Sequence, residues 1–171
     1  MKCKNGVTIP LSTLYSKEEV EKIGRLGTLV GLDQATNSGI AILTDGEIYT
    51  YRLSMQPKRA FKNELSELVD FVCRYNPTFI AHEIPTGRFY PAIVKSSKIL
   101  GGFELHCGRN EIGLIGYTAS EIKKFATGKG NSNKAVMLHA AQQIDEGFDN
   151  DDEADAFFIL RKLIQDLLKQ N

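Results

Sequence analysis

At 171 residues, with 42% hydrophobic and 25% charged side chains, the chain has the length and composition of one globular domain with a real core. No apolar run reaches the roughly 20 residues that cross a bilayer and the start lacks a signal-peptide pattern, so no membrane role is expected and the cytoplasm is the expected compartment. Net charge is zero, and the three cysteines (Cys3, Cys73, Cys107) form no Cys-x-x-Cys pair, which argues against a uniformly basic nucleic-acid binder, a disulfide framework and a zinc site. The charge is nevertheless uneven. Between Ile84 and Lys134 stand eight lysines and arginines against three acids, whereas Asp145 to Asp155 holds seven acids and no base. A basic middle followed by an acidic segment suits a phosphate-binding face beside a metal centre.

Residues 1–26 read as an N-terminal extension with one short helix, opened by the capping box Ser16-Lys-Glu-Glu19 and ended by Gly24 and Gly27. The domain proper is expected over 27–171. Its first strand, 28–32, is apolar at Leu29, Val30 and Leu32, as a buried central strand should be. A second strand begins at Gly39, Asp45-Gly46 signals a hairpin, and 47–53 is the third strand of an antiparallel meander. A helix is expected over 58–75, from Phe61, Leu65, Leu68, Val69 and Val72 at helical spacing, until Asn76-Pro77 breaks it. A strand over 78–83, a helix over 90–107 and a strand over 113–117 follow. Cys73 and Cys107 take core-facing positions on the two helices. The capping box Thr118-Ala-Ser-Glu121 starts a short helix to about Ala126. Another helix runs over 132–144, with Ser132 or Asn133 as its cap, and the last begins near Asp151. The expectation is an α/β domain with a mixed five-stranded sheet, three strands in the meander and two parallel, flanked by helices.

Four carboxylates stand out. Asp33 closes the first strand and Glu83 the fourth, where open α/β sheets place their ligands. Asp152 and Asp155 share one face of the last helix at i, i+3 spacing. Acids at a helix start also complement its dipole, which explains Asp151, Asp152 and Glu153 without a metal. Asp155, between Ala154 and a run of apolar residues, is explained less well that way and is the stronger ligand candidate of the pair. Bare carboxylates brought together repel, so their convergence implies divalent cations. Lys123 and Lys134 are the basic residues placed nearest the site; Lys134 follows a glycine loop at a helix start, where free backbone amides favour phosphate. His82, one residue before Glu83, should face the other side of the sheet.

Together these segments resemble the RuvC family of Holliday-junction resolvases, within the RNase H-like superfamily. Gly31-Leu-Asp-Gln-Ala-Thr-Asn-Ser-Gly-Ile-Ala is similar to the family's first strand-end Asp motif, and Ile80-Ala-His-Glu83 to its strand-end Glu motif. Ser120 to Lys134 resembles its lysine-bearing segment, and Asp152-Glu-Ala-Asp155-Ala its terminal carboxylate pair. The resemblance implies an RNase H-like fold and a homodimeric endonuclease, paired through the helix near 90–107, that nicks four-way and other branched DNA. It implies Asp33, Glu83, Asp152 and Asp155 as ligands of two Mg²⁺ ions, with Mn²⁺ as a substitute, and Lys123 and Lys134 as phosphate contacts. The compact, variant form points to a phage or mobile-element member rather than the housekeeping enzyme.

Where the family usually carries Pro-Gly after its first Asp, this chain has Gln34-Ala35. Its nearest aromatics for a junction-centre role are Phe89 and Tyr90, set off from Glu83 by Ile84-Pro-Thr-Gly-Arg. Rival readings are an RNase H-like nuclease on flap, Y-shaped or RNA-containing substrates, and a non-catalytic branched-DNA-binding module. An ATPase of the actin and sugar-kinase type needs two related lobes, and this chain has room for one.

Overall fold

The structure, a computed structural model, describes residues 1–56 and 59–170. Its centre is a six-stranded sheet in the order β1-β4-β3-β2-β5-β6. The strands are β1 (Lys2–Pro10), β2 (Leu29–Asp33), β3 (Asn37–Thr44), β4 (Glu47–Ser54), β5 (Phe79–Glu83) and β6 (Gly113–Tyr117). β2, β3 and β4 form the expected antiparallel meander, and β5 and β6 add in parallel beside β2. The helices are α1 (Lys17–Gly24), α2 (Phe61–Cys73), α3 (Tyr90–Asn110), α4 (Ala119–Thr127), α5 (Lys134–Gln142) and α6 (Asp151–Gln170).

The strand count corrects the expected five. The segment read as an extension holds its short helix α1, but also β1, which pairs antiparallel with β4 along the sheet edge. Its sequence hides it because only Val7 and Ile9 are buried, at its far end. A bulge between Asn5 and Thr8 also breaks the alternation that would have marked a strand. Other differences are at helix ends. The expected start of α2 at Lys58 lies outside the described residues. α3 runs three residues past Cys107 to an αL cap at Glu111, and α5 begins at Lys134 because the Asn133 side chain caps it, accepting from Val136 N.

Strand side chains alternate between two cores. Leu29, Ala41, Leu43 and Ala81 face α6, supported by α1, α4 and α5. Val30, Leu32, Ile40, Ile42 and Ile80 face α2 and α3. Cys107 is buried in this second core and Cys73 packs against it half-buried, while Cys3 is exposed. α6 is buried along most of its length, including Phe157, Phe158 and Leu160. It lies close because the sheet beneath it is bare. A Cβ on Gly31 would come 2.3 Å from Ala156 O, and one on Gly39 would come 1.7 Å from Asp152 O. Those two glycines seat the first turns of α6 on β2 and β3. No helix among the described residues is long and apolar enough to cross a membrane.

Candidate active site

One row of paired residues crosses the sheet under the start of α6. Asp33 pairs with Gly39, Gly39 with Arg52, and Arg52 with Lys4. On the other side, Leu32 pairs with His82, which brings Glu83 beside Asp33, and Glu83 pairs with Tyr117. Residues paired across strands point to the same face. The row therefore presents two carboxylates, a glycine gap and two cations toward α6, whose first turn sits in the gap.

Asp33, Glu83, Asp152 and Asp155 are all half-buried. Burial, followed by the charges of Asp155, Glu83 and Asp152, holds the Asp33 carboxyl well above the usual range, against the pull of Lys134. Burial and the charge of Glu83 push Asp155 up to about 7. Burial raises Glu83, opposed by Lys123 and Lys134. Burial and neighbouring Asp151 raise Asp152, opposed by Arg52 and Lys134. These carboxylates feel one another electrostatically, the condition under which a cation is stabilising.

The expected residues do not all play equal parts. Asp33, Glu83 and Asp155 converge, since the charges of Glu83 and Asp155 both act on Asp33 and that of Glu83 acts on Asp155 as well. Asp152 turns aside to Arg52, whose Nε lies 3.0 Å from its Oδ2. Lys134 is exposed and ion-paired with Asp151. Lys123, on α4, forms no ion pair among the described residues, yet acts on both Glu83 and Asp155. Among the described residues, no three His, Cys, Asp or Glu side chains are drawn together as a preassembled metal cage. In kind the donors fit a hard divalent cation: all are carboxylate oxygens, and neither thiolate nor imidazole faces them.

His82 shares its parity with Ile80 and so points toward α2 and α3, as alternation requires. Its Nδ1 lies 2.9 Å from Glu83 O; a carbonyl only accepts, so Nδ1 carries the proton. Gln34 pins the same carbonyl through its Nε2. Ser96 Oγ on α3 donates to Gln34 O at 2.9 Å, and Ile84 N donates to Tyr117 O at 2.8 Å. The backbone of Glu83 is therefore fixed from three directions. Gln34 is buried, and its Oε1 has no hydrogen-bond partner among the described residues. Beside these groups opens a cleft of about 320 Å³, with Asp33 and Glu83 in its lining and Arg88, Phe89, Lys95 and Ser96 around it. Phe89, in its lining, is 70% exposed, and the next residue, Tyr90, is 74% exposed.

Sequence reasoning missed Arg52 and Gln34. Arg52 lies among the alternating residues of a meander strand, and only the register shows it level with Asp33. Gln34 registered only as a substitution where the family carries proline.

The sequence matches no family model and no curated protein. Solved structures do resemble it. Thermus thermophilus RuvC in complex with a Holliday junction substrate superposes with a TM-score of 0.67 at 17% identity, over 84% of this chain and 95% of that one. The chain has the RuvC fold. A further Thermus thermophilus RuvC structure gives a TM-score of 0.65 over the same shares of the two chains, again at 17% identity. The fowlpox virus Holliday junction resolvase gives 0.50 at 16% identity, over 82% of this chain and 99% of that one. The RuvC fold accounts for the meander, the two parallel strands and the helix laid across them.

Proposed function

We propose that the chain is a metal-dependent, structure-selective endonuclease that nicks phosphodiester bonds in four-way junctions and other branched DNA. One observation carries this reading. On a RuvC fold, Asp33 and Glu83 end adjacent parallel strands, and Asp155 reaches them from the helix seated above. Such a trio of half-buried carboxylates is costly unless a cation shares it.

Asp33, central among them, would hold divalent ions, Mg²⁺ or Mn²⁺, together with Glu83, Asp155 and Asp152. Ions held there would supply an activated water and stabilise a leaving 3′ oxygen, chemistry that would leave a 5′ phosphate and a 3′ hydroxyl. The protein's own part is placement. Gln34, His82 and Tyr117 hold the backbone of Glu83, and Gly31 and Gly39 set the height of Asp155 above the strands. Lys123, which has no ion pair among the described residues, contacts the phosphate near the scissile bond, and exposed Lys134 contacts the next one after leaving Asp151. Phe89, in the cleft lining, or the adjacent exposed Tyr90 meets the unpaired bases at the branch point. A homodimer formed through α3 would present two such sites to paired strands. Leu105, a large apolar side chain 57% exposed on that helix, supports the pairing.

Labelled four-way, Y-shaped, flap, RNA-containing and linear duplexes, incubated with Mg²⁺ or with EDTA, test this. Paired nicks near the four-way crossover, lost in EDTA, are expected. Metal-dependent cutting confined to flap or RNA-containing substrates would replace the junction with that substrate, and no metal-dependent cutting at all would remove the nuclease reading.

A further inference from the structure

Three cations sort the acids at the start of α6. Lys4 takes Asp149, Lys134 takes Asp151 and Arg52 takes Asp152. The first two acids lie outside the carboxylate cluster. Only the third pair ties up a candidate metal ligand.

Its geometry is that of a choice between two sides. The Asp152 backbone rests on Gly39, and Gly39 is flanked in register by Asp33 on β2 and Arg52 on β4. Neighbouring strands are about 4.8 Å apart, so these alternatives stand roughly 10 Å from each other with Asp152 between them. A change of side-chain rotamer carries a carboxylate from one toward the other without moving the helix.

The contact with Arg52 is chiefly ionic, with a weaker hydrogen-bonding part. Arg52 Nε lies 3.0 Å from Asp152 Oδ2, yet this nitrogen is buried without an aligned hydrogen-bond partner among the described residues. The side chains of Arg52 and Asp152 are 35% and 14% exposed. A chiefly ionic pair that is partly open to water is weak enough to break when a stronger cation competes.

We propose that Arg52 is a positioning residue that latches Asp152 away from Asp33, so that completing the second metal site requires the latch to open. This rests on the metal-dependent reading of the site. The second ion would bind more weakly than the first because it must displace a resident cation from its ligand. Arg52, once released, leaves a positive charge on the sheet beside the site.

Binding of Mn²⁺ alone, followed by electron paramagnetic resonance of the free ion and by calorimetry, reads the latch without any cleavage. Wild type is expected to take one Mn²⁺ tightly and a second more weakly. Arg52→Gln and Arg52→Met should tighten the weaker site about fivefold, the worth of a part-exposed ion pair of about 1 kcal/mol, and leave the tighter site unchanged. Arg52→Lys, which keeps the charge, should stay nearer wild type. In an Asp152→Asn background, Arg52→Gln should change nothing, since no carboxylate is left to release.

Unchanged or weakened binding at the second site in both Arg52→Gln and Arg52→Met overturns the latch. So does an equal gain in the Asp152→Asn background, which would reduce Arg52 to a background charge. If neither variant folds, as judged by near-UV circular dichroism, Arg52 is a structural residue and the latch is likewise overturned. The parent reading fails separately: wild type would then take up no Mn²⁺, or Asp33→Asn would bind it as wild type does.

Discussion

Asp33 stands in the middle of the charged row, with Glu83 beside it, Asp155 above it and the Gly39 gap on its other flank. Every other candidate ligand raises its pKa, so it is the group whose charge the site can least tolerate without a cation. Asp33→Asn removes that charge while keeping shape. Cleavage should fall below detection while four-way junction binding, measured by gel shift, stays within a few-fold of wild type; loss of both would point to misfolding. Gln34 acts one step away, on the carbonyl of Glu83. Gln34→Leu leaves that carbonyl with His82 as its remaining side-chain donor, and should lower unfolding free energy by about 1 kcal/mol in urea titration, with a matching loss of cleavage rate.

At the scale of elements, α6 is the part that assembles the site, and glycines decide where it sits. Gly39→Ala would drive a methyl group into the Asp152 carbonyl, with backbone on both sides and no flexible side chain to yield. Overpacking of this kind costs about 1–3 kcal/mol, and here it also lifts Asp152 and Asp155 from the strands. Urea unfolding and Mn²⁺ affinity should both fall. Gly101→Ala is the control, because a Cβ there meets nothing within 4 Å on the exposed side of α3. It should stabilise the protein by about 0.5–1 kcal/mol through helix propensity and leave metal binding alone.

For the whole molecule, the carboxylate cluster ties stability to pH and to metal. An unfolded Asp titrates near 3.9, whereas Asp155 in the folded protein is pushed up to about 7. Below both values the two states are protonated alike. As pH rises between them, the unfolded chain gives up its proton while the fold retains it, so stability falls, and above 7 the full cost is present. The metal-free protein should therefore melt at a lower temperature at pH 8 than at pH 5. Excess Mg²⁺ should raise the melting temperature at pH 8 and have little effect at pH 5, as differential scanning fluorimetry would show. Assembly is the other property at this scale. If α3 pairs two copies, sedimentation should give a dimer, and Leu105→Glu should convert it to a monomer whose junction cleavage loses its paired nicks.

Local chemistry made much of this legible in the sequence. Apolar runs ending in Asp33 and Glu83 mark buried strands with polar ends, and the Ser16–Glu19 and Thr118–Glu121 capping boxes both form as read. β1 was not legible, because an edge strand covered on few positions and broken by a bulge carries little hydrophobic alternation. Nor was the division of labour among the acids. Asp152 and Asp155 differ by one helical turn in the sequence, but only the pairing of β3 with β4 brings Arg52 level with the first and leaves the second to Asp33 and Glu83. Which residues carry charge is fixed residue by residue along the chain. Which charges meet depends on strand register and on the depth at which two glycines let a helix settle, and those are properties of the packed sheet.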